Sequence, residues 1–190
     1  MKSTRVIMGM PITVEVMDAS VTEKDMEEVF NYFNYVDQTF SPYKPESELS
    51  KINQGQITKD AYSPDMVEVL ALSAETKKQT NSYFDIQTPQ GNLDPSGLVK
   101  GWSIFNASQI LETHGCKNFY IEAGGDIQTG GKNSQDQAWN VGIRNPFQVN
   151  EIIKVVHLSG QGIPPPELMN ADNIFTIQKI LRVSLQVFLA

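Results

Sequence analysis

Apolar residues occupy every second position near the start of the chain. Val6, Met8, Met10, Ile12, Val14 and Val16 alternate with other residues between Arg5 and Met17. That period of two predicts one half-buried strand over Arg5 to Met17. Gly9 and Pro11 interrupt it and predict a bulge or a close backbone approach. From Thr22 to Phe40 the period becomes helical: Met26, Val29, Phe30, Phe33 and Val36 share one stripe. Thr22 is the candidate N-cap, and Glu23 and Asp25 suit the positive end of the helix dipole. Ser63-Pro64 opens a second helix, a cap followed by proline at the first helical position, with Val67, Leu70, Ala71 and Ala74 as its predicted apolar face. A third helix is predicted from about Gly101 to His114, with Ile104, Ala107 and Leu111 inward and Gly115 as its stop. Short strands follow at Phe119 to Ala123, Ile127 to Thr129, Trp139 to Ile143 and Ile152 to Leu158, separated by Gly- and Asn-rich turns. Helices and strands mix without regular alternation, so the predicted class is α+β rather than a doubly wound sheet.

Length and charge narrow what such a fold can do. A chain of 190 residues can bury one sizeable core. A net charge of -7 repels phosphate backbones and argues against nucleic acid as a partner, although local donors or a metal can still hold a small phosphorylated ligand. One cysteine, Cys116, allows no intramolecular disulfide, and two histidines, His114 and His157, do not suit a multi-histidine metal site. The start, Met1-Lys2-Ser3-Thr4-Arg5, has no apolar signal region, and no run is long enough to span a bilayer. The expectation is a soluble, cytoplasmic protein without a membrane segment.

Four segments carry chemistry that periodicity does not explain. Phe40 to Asn53 holds two prolines and Tyr43, which on a stiffened loop can stack on a flat ring or simply be an amphipathic loop residue. Tyr83-Phe84-Asp85-Ile86 offers two ring walls and an acceptor, or a strand with aromatic core residues. Asp94-Pro95-Ser96-Gly97-Leu98-Val99-Lys100-Gly101 is a glycine-bearing turn into a helix. Free N–H groups and the dipole there suit a phosphate, Lys100 adds a point charge, and a turn carbonyl can meet Mg²⁺; the plainer alternative is a helix start capped by Asp94. In Glu122-Ala123-Gly124-Gly125-Asp126-Ile127 the paired glycines permit close backbone approach, but a tight turn between two strands is the favoured reading of this segment alone.

Together these segments resemble the ApbE family of FAD:protein FMN transferases. The order is Met8-Gly9, Ser-x-Tyr-x-x-x-Ser-Glu-Leu from Ser41 to Leu49, Phe84-Asp85-Ile86, Asp-x-x-Gly-x-x-Lys-Gly from Asp94 to Gly101, Ala123-Gly124-Gly125-Asp126-Ile127, and Trp-x-Val-Gly-Ile-Arg-x-Pro from Trp139 to Pro146. Each motif is weak alone; six in sequence, across residues 8 to 163, are specific. The resemblance implies an ApbE-like, T-fold-related α+β domain with a mixed or antiparallel sheet and packed helices. It implies Mg²⁺-assisted transfer of FMN from FAD to a threonine or serine hydroxyl of a partner protein, with AMP leaving. Carried onto matching positions, Met8, Tyr43, Tyr83, Phe84, Asp85, Asp94, Lys100 and Ile163 would contact FAD, and the Gly97 carbonyl would meet Mg²⁺. No catalytic residue is assigned.

After Ile163 the resemblance stops. Family members continue with Thr-Ser-Gly-x-Tyr, then His-x-x-x-Pro and, much later, an Asp-x-x-x-Thr that supplies metal ligands. This sequence reads Pro164-Pro165-Pro166-Glu167-Leu168-Met169 and ends at Ala190. Codons allowed for Pro164 to Gln178 include a set that, reread two bases later, spells Thr-Ser-Gly-Thr-Tyr-Glu-Arg-Gly-Gln-His-Ile-Tyr-Asn-Pro. The expectation is therefore a transferase domain over 1–163, incomplete at its C-terminus, and a frameshifted tail over 164–190; a divergent tail is the alternative, and the gene's base sequence decides. Three functional readings follow: a transferase, a non-catalytic flavin-binding remnant, and an unstable product without function.

Overall fold

Where the period-two pattern predicts one strand, the chain makes two. The computed structural model describes residues 1–145 and 148–163. Strands β1 (Lys2–Ile7) and β2 (Met10–Val16) pair antiparallel across the two-residue turn Met8-Gly9, whose φ angles are 56° and 73°. Positive φ at both central residues is what a type I′ turn requires, and its twist matches the flanking strands. The single strand expected over Arg5 to Met17 is corrected accordingly. Ile12, Val14 and Val16 keep their inward places and are fully buried, but Val6 lies on the edge strand and is 78% exposed.

The described residues form two units, one of residues 1–34 and 100–163, the other of residues 35–99. In the first, a five-stranded antiparallel sheet runs in the order β1, β2, β3 (Phe119–Ala123), β4 (Asp126–Gly130) and β7 (Gly162–Ile163). A separate ribbon pairs β5 (Trp139–Asn145) with β6 (Gln148–Leu158). Trp139 Nε1 donates to the Gly130 carbonyl at 2.9 Å, tying the ribbon to β4.

Two helices pass through this unit, α1 (Glu23–Phe40) and α4 (Ser96–Thr113). Met26, Val29, Phe30 and Phe33 of α1 and Ile104, Ala107 and Leu111 of α4 join Ile12, Val14, Val16, Phe119, Ile121 and Ala123 of the sheet in one buried cluster. Each such large side chain removed from water stabilises the fold by about 1.5–3 kcal/mol. The start of α1 is a reciprocal cap: Asp25 N–H donates to Thr22 Oγ1 at 3.3 Å, and Thr22 N–H donates to Asp25 Oδ2 at 2.8 Å. Gly115, at φ 78°, ends α4 as expected, but α4 begins five residues before the predicted Gly101.

The second unit contains α2 (Glu48–Asn53), capped by Ser47, and α3 (Pro64–Gln79), capped by Ser63, whose hydroxyl accepts from Met66 N–H. The start of α3 is as predicted; its buried face is not. Met66, Val69, Ser73 and Thr76 are buried, whereas Val67 is 52% exposed and Ala71 and Ala74 are exposed. Ser73 Oγ donates to the Val69 carbonyl at 2.7 Å and Thr76 Oγ1 to the Leu72 carbonyl at 2.8 Å. Bonded back to the helix, those hydroxyls can face inward, so the small apolar residues were a poor guide to the helix's phase. No helix among the described residues is long and apolar enough to cross a membrane. The expected tail over 164–190 lies outside the described residues.

Candidate functional site

Two glycine-bearing turns lie at one end of the first unit's sheet. Ile12 pairs with Ala123, which sets the Met8-Gly9 turn and the Gly124-Gly125 turn at the same end. Gly124 and Gly125 have φ angles of 52° and 88°, again the both-positive pattern of a two-residue hairpin. The φ favours glycine at 124, and a Cβ there would also displace the Met10 side chain, lying 2.7 Å from its Sδ. At the other turn a methionine takes the left-handed conformation, which costs an L-residue about 1–2 kcal/mol. Retained strain of this kind is a pointer to function, and Met8 is among the residues expected to touch the ligand.

Lys100 projects from the first turns of α4 to this end. Its Nζ lies 3.2 Å from Asp126 Oδ2 and 3.4 Å from the Gly124 carbonyl oxygen. The other carboxylate oxygen, Asp126 Oδ1, is buried with no hydrogen-bond partner among the described residues. An unmet buried acceptor costs about 1–3 kcal/mol. Burial pushes the Asp126 carboxyl above the usual carboxylate range, with the Lys100 ammonium pulling the other way. The ionised pair is thus a poor stabiliser of the fold. Ile163, half-buried on β7, pairs with Ile127, the residue after Asp126.

The second unit carries the remaining residues on the segment between α3 and α4. Asn81 and Ser82 take φ angles of 51° and 64°, and Thr80 Oγ1 accepts from Phe84 N–H at 3.0 Å. Tyr83 is then 76% exposed and Phe84 half-buried, which corrects the strand alternative for this segment. Asp85 pairs with Lys77 at 2.7 Å and accepts from Gln87 N–H; the Lys77 hydrogen bond, then the Gln87 one, hold its carboxyl below the usual range. Asp94 N–H donates to the Ile86 carbonyl at 2.8 Å, and Gln87 bridges Leu93. Asn53 clamps the same strip, donating to the Leu93 carbonyl at 2.9 Å and accepting from Leu93 N–H at 2.8 Å. Asp94 Oδ1 accepts from Ser96 N–H at 3.1 Å and from the Ser96 hydroxyl, so it caps the start of α4. A Cβ on Gly97 would lie 3.6 Å from Phe84 Cε2.

Phe84, Asp85, Asp94 and Gly97 therefore share one strip of the second unit. Tyr43, on the loop before α2, is 90% exposed, leaving a ring face available for stacking. Met8, Lys100 and Ile163 belong to the sheet end of the first unit. Sequence reasoning missed Asp126 and Asn53 as site residues; Asp126 stood in a noted motif, but nothing in the spacing tells that its carboxylate reaches Lys100. Among the described residues no group of three or more His, Cys, Asp or Glu could hold a metal ion.

A sequence profile described as the ApbE family matches residues 8–89 and 87–163. The chain belongs to the ApbE family. Its sequence is 24% identical to a FAD:protein FMN transferase of Haemophilus influenzae, over 85% of this chain and 66% of that protein. It is 23% identical to one of Chlamydia muridarum, over 72% of this chain and 57% of that protein. The ApbE chain thus spans less than two thirds of either relative. Among solved structures it matches the flavin transferase ApbE of Vibrio cholerae with a TM-score of 0.77 at 17% identity, covering 86% of this chain and 70% of that one. It matches the ApbE protein of Thermotoga maritima with a TM-score of 0.76 at 14% identity, covering 85% and 68%. At such identities the likeness shows the fold, and it agrees with the α+β class expected from the sequence.

Proposed function

We propose that this ApbE chain binds FAD, and that its family reaction is transfer of FMN from FAD to a threonine or serine hydroxyl of a partner protein. The observation that carries the reading is a run of separated motifs in family order from Met8 to Ile163, backed by relatives whose name is FAD:protein FMN transferase. In this reading Tyr43, Tyr83 and Phe84 present ring faces to the isoalloxazine or adenine. Lys100 and the N–H groups opening α4 face the diphosphate. Asp94 orders that helix start, Asp85 accepts from the ligand, and Met8 and Ile163 pack on it.

The reaction itself is a phosphoryl displacement. The acceptor oxygen forms a bond to the FMN phosphorus, the bond from that phosphorus to the AMP phosphate oxygen breaks, and the hydroxyl proton is released. Mg²⁺ on the diphosphate would neutralise charge in such a step. The described residues offer the Gly97 carbonyl but no acidic cluster, so by themselves they do not make up its ligand set. From Pro164 onward the sequence holds neither Thr-Ser-Gly-x-Tyr nor His-x-x-x-Pro. It does hold the Asp-x-x-x-Thr spacing, at Asp172 and Thr176, but soon after Ile163 rather than much later. This 190-residue chain is therefore proposed to bind FAD with little or no transfer.

The test pairs binding with chemistry. Asp94→Ala is expected to weaken FAD binding about 10-fold through loss of the ordered helix start. Incubation with FAD, Mg²⁺ and a threonine-bearing acceptor protein is expected to give no fluorescent flavinylated band and no AMP. A fluorescent band with matching AMP release would establish transferase activity for this chain and overturn the binding-only part of the reading.

A further inference from the structure

The Lys100–Asp126 pair is costly for the fold, yet its geometry is specific. Lys100 reaches from α4, and its ammonium meets both Asp126 Oδ2 and the Gly124 carbonyl. A lysine stem has four rotatable carbons, so an unrestrained head turns to water. Here the head meets a turn that is itself held, by the β3–β4 ladder on either side and by Gly124 N–H donating to the Pro11 carbonyl at 3.4 Å. Among the described residues Asp126 Oδ1 has no hydrogen-bond partner, so their packing does not use the whole carboxylate.

We propose that Asp126 is a positioning residue: it holds the Lys100 ammonium at the Gly124-Gly125 turn as a fixed charge for the diphosphate of FAD. The inference rests on the flavin reading above. A carboxylate so near the ammonium also repels an approaching anion, so positioning and simple repulsion predict opposite signs. If Asp126 only weakens the field, removing it tightens FAD. If it positions Lys100, removing it loosens FAD.

The experiment titrates the chain and its variants with FAD and with riboflavin, which has no phosphate, following flavin fluorescence. Asp126→Ala is expected to weaken FAD about 10-fold while leaving riboflavin within about 2-fold. Asp126→Asn, which keeps an oxygen for the ammonium, is expected to recover to within about 3-fold of the parent. Lys100→Met is expected to cost clearly less in the Asp126→Ala background than in the parent, as coupled residues do. Should Asp126→Ala not fold, Asp126→Glu decides: the charge is unchanged and the head displaced, so FAD binding is expected to fall about 3- to 10-fold with riboflavin unmoved. The proposal is overturned if Asp126→Ala or Asp126→Glu binds FAD as tightly as the parent or more so. Equal losses for FAD and riboflavin, or additive effects with Lys100→Met, also overturn it. A folded parent chain that binds no FAD overturns the flavin reading itself, and this inference with it.

Discussion

The two units hold their residues by different means. At the sheet end of the first, Met8 sits in a hairpin turn, Asp126 and Ile163 on strands and Lys100 on a long helix, and the two hairpin turns are held by the β ladders beside them. In the second, the strip from Tyr83 to Gly97 is mostly irregular. Its backbone is held by single side chains: Thr80 under Phe84, Asn53 across Leu93, Asp94 at the start of α4. A ladder spreads its cost over many bonds, whereas a clamped strip depends on each clamp. The first unit should thus report damage as global stability, and the second as local opening.

The largest expected effect comes from striking the bend just after β4. Gly131 has φ 48°, and a Cβ there would lie 2.5 Å from the Lys117 carbonyl oxygen, which belongs to backbone and cannot swing away. Gly131→Ala is expected to cost about 3 kcal/mol or more and lower Tm by about 6–12 °C, read by calorimetry. The clamp comes next. Asn53→Ala removes two hydrogen bonds to Leu93, and about 2 kcal/mol of local stability goes with them. Hydrogen exchange should quicken at Leu93 and Asp94 while the β2 amides stay protected. If β2 exchanges equally fast, the contrast between ladder and clamp fails.

Met8 gives a smaller change of opposite sign. Asn tolerates the left-handed conformation better than Met, so Met8→Asn is expected to add about 1 kcal/mol and raise Tm by about 2–4 °C while weakening FAD binding. A variant that loses stability would show that Met8 is there for the fold. The smallest effect concerns pH. Asp18 Oδ2 accepts from the backbone N–H groups of Lys117 and Asn118 at 2.9 and 2.7 Å. Its modest burial raises the pKa, but these bonds outweigh that and hold the carboxyl below the usual range. A lowered folded-state pKa means the contribution is present above the ordinary carboxylate range, near pH 4, and is lost as pH falls through the depressed value. Asp18→Ala is expected to cost about 1 kcal/mol at pH 7 and almost nothing near pH 2, seen in paired melts.

The same contrast explains what could be read from the sequence. Helix α1 was legible because five apolar residues and a cap agree, and β3 because buried alternation leaves little choice. The β1–β2 turn was not, since Met8 is not a turn residue and only its neighbour Gly9 hints at one. The phase of α3 was lost because Ser73 and Thr76 bury hydroxyls bonded within the helix. The motifs around Asp94 and Gly124 were visible as chemistry, yet the Asn53 clamp joins residues 40 apart and leaves no periodic trace. Asp126 was hidden for a like reason: its partner Lys100 lies on another element.

The most direct measurement is a titration of the folded chain with FAD, following flavin emission and the thermal transition together. Saturable quenching, a Tm that climbs with FAD concentration, and weaker retention of riboflavin than of FAD are expected. A cooperative melt that stays put at saturating FAD, with emission equal to that of free flavin, would contradict the flavin reading.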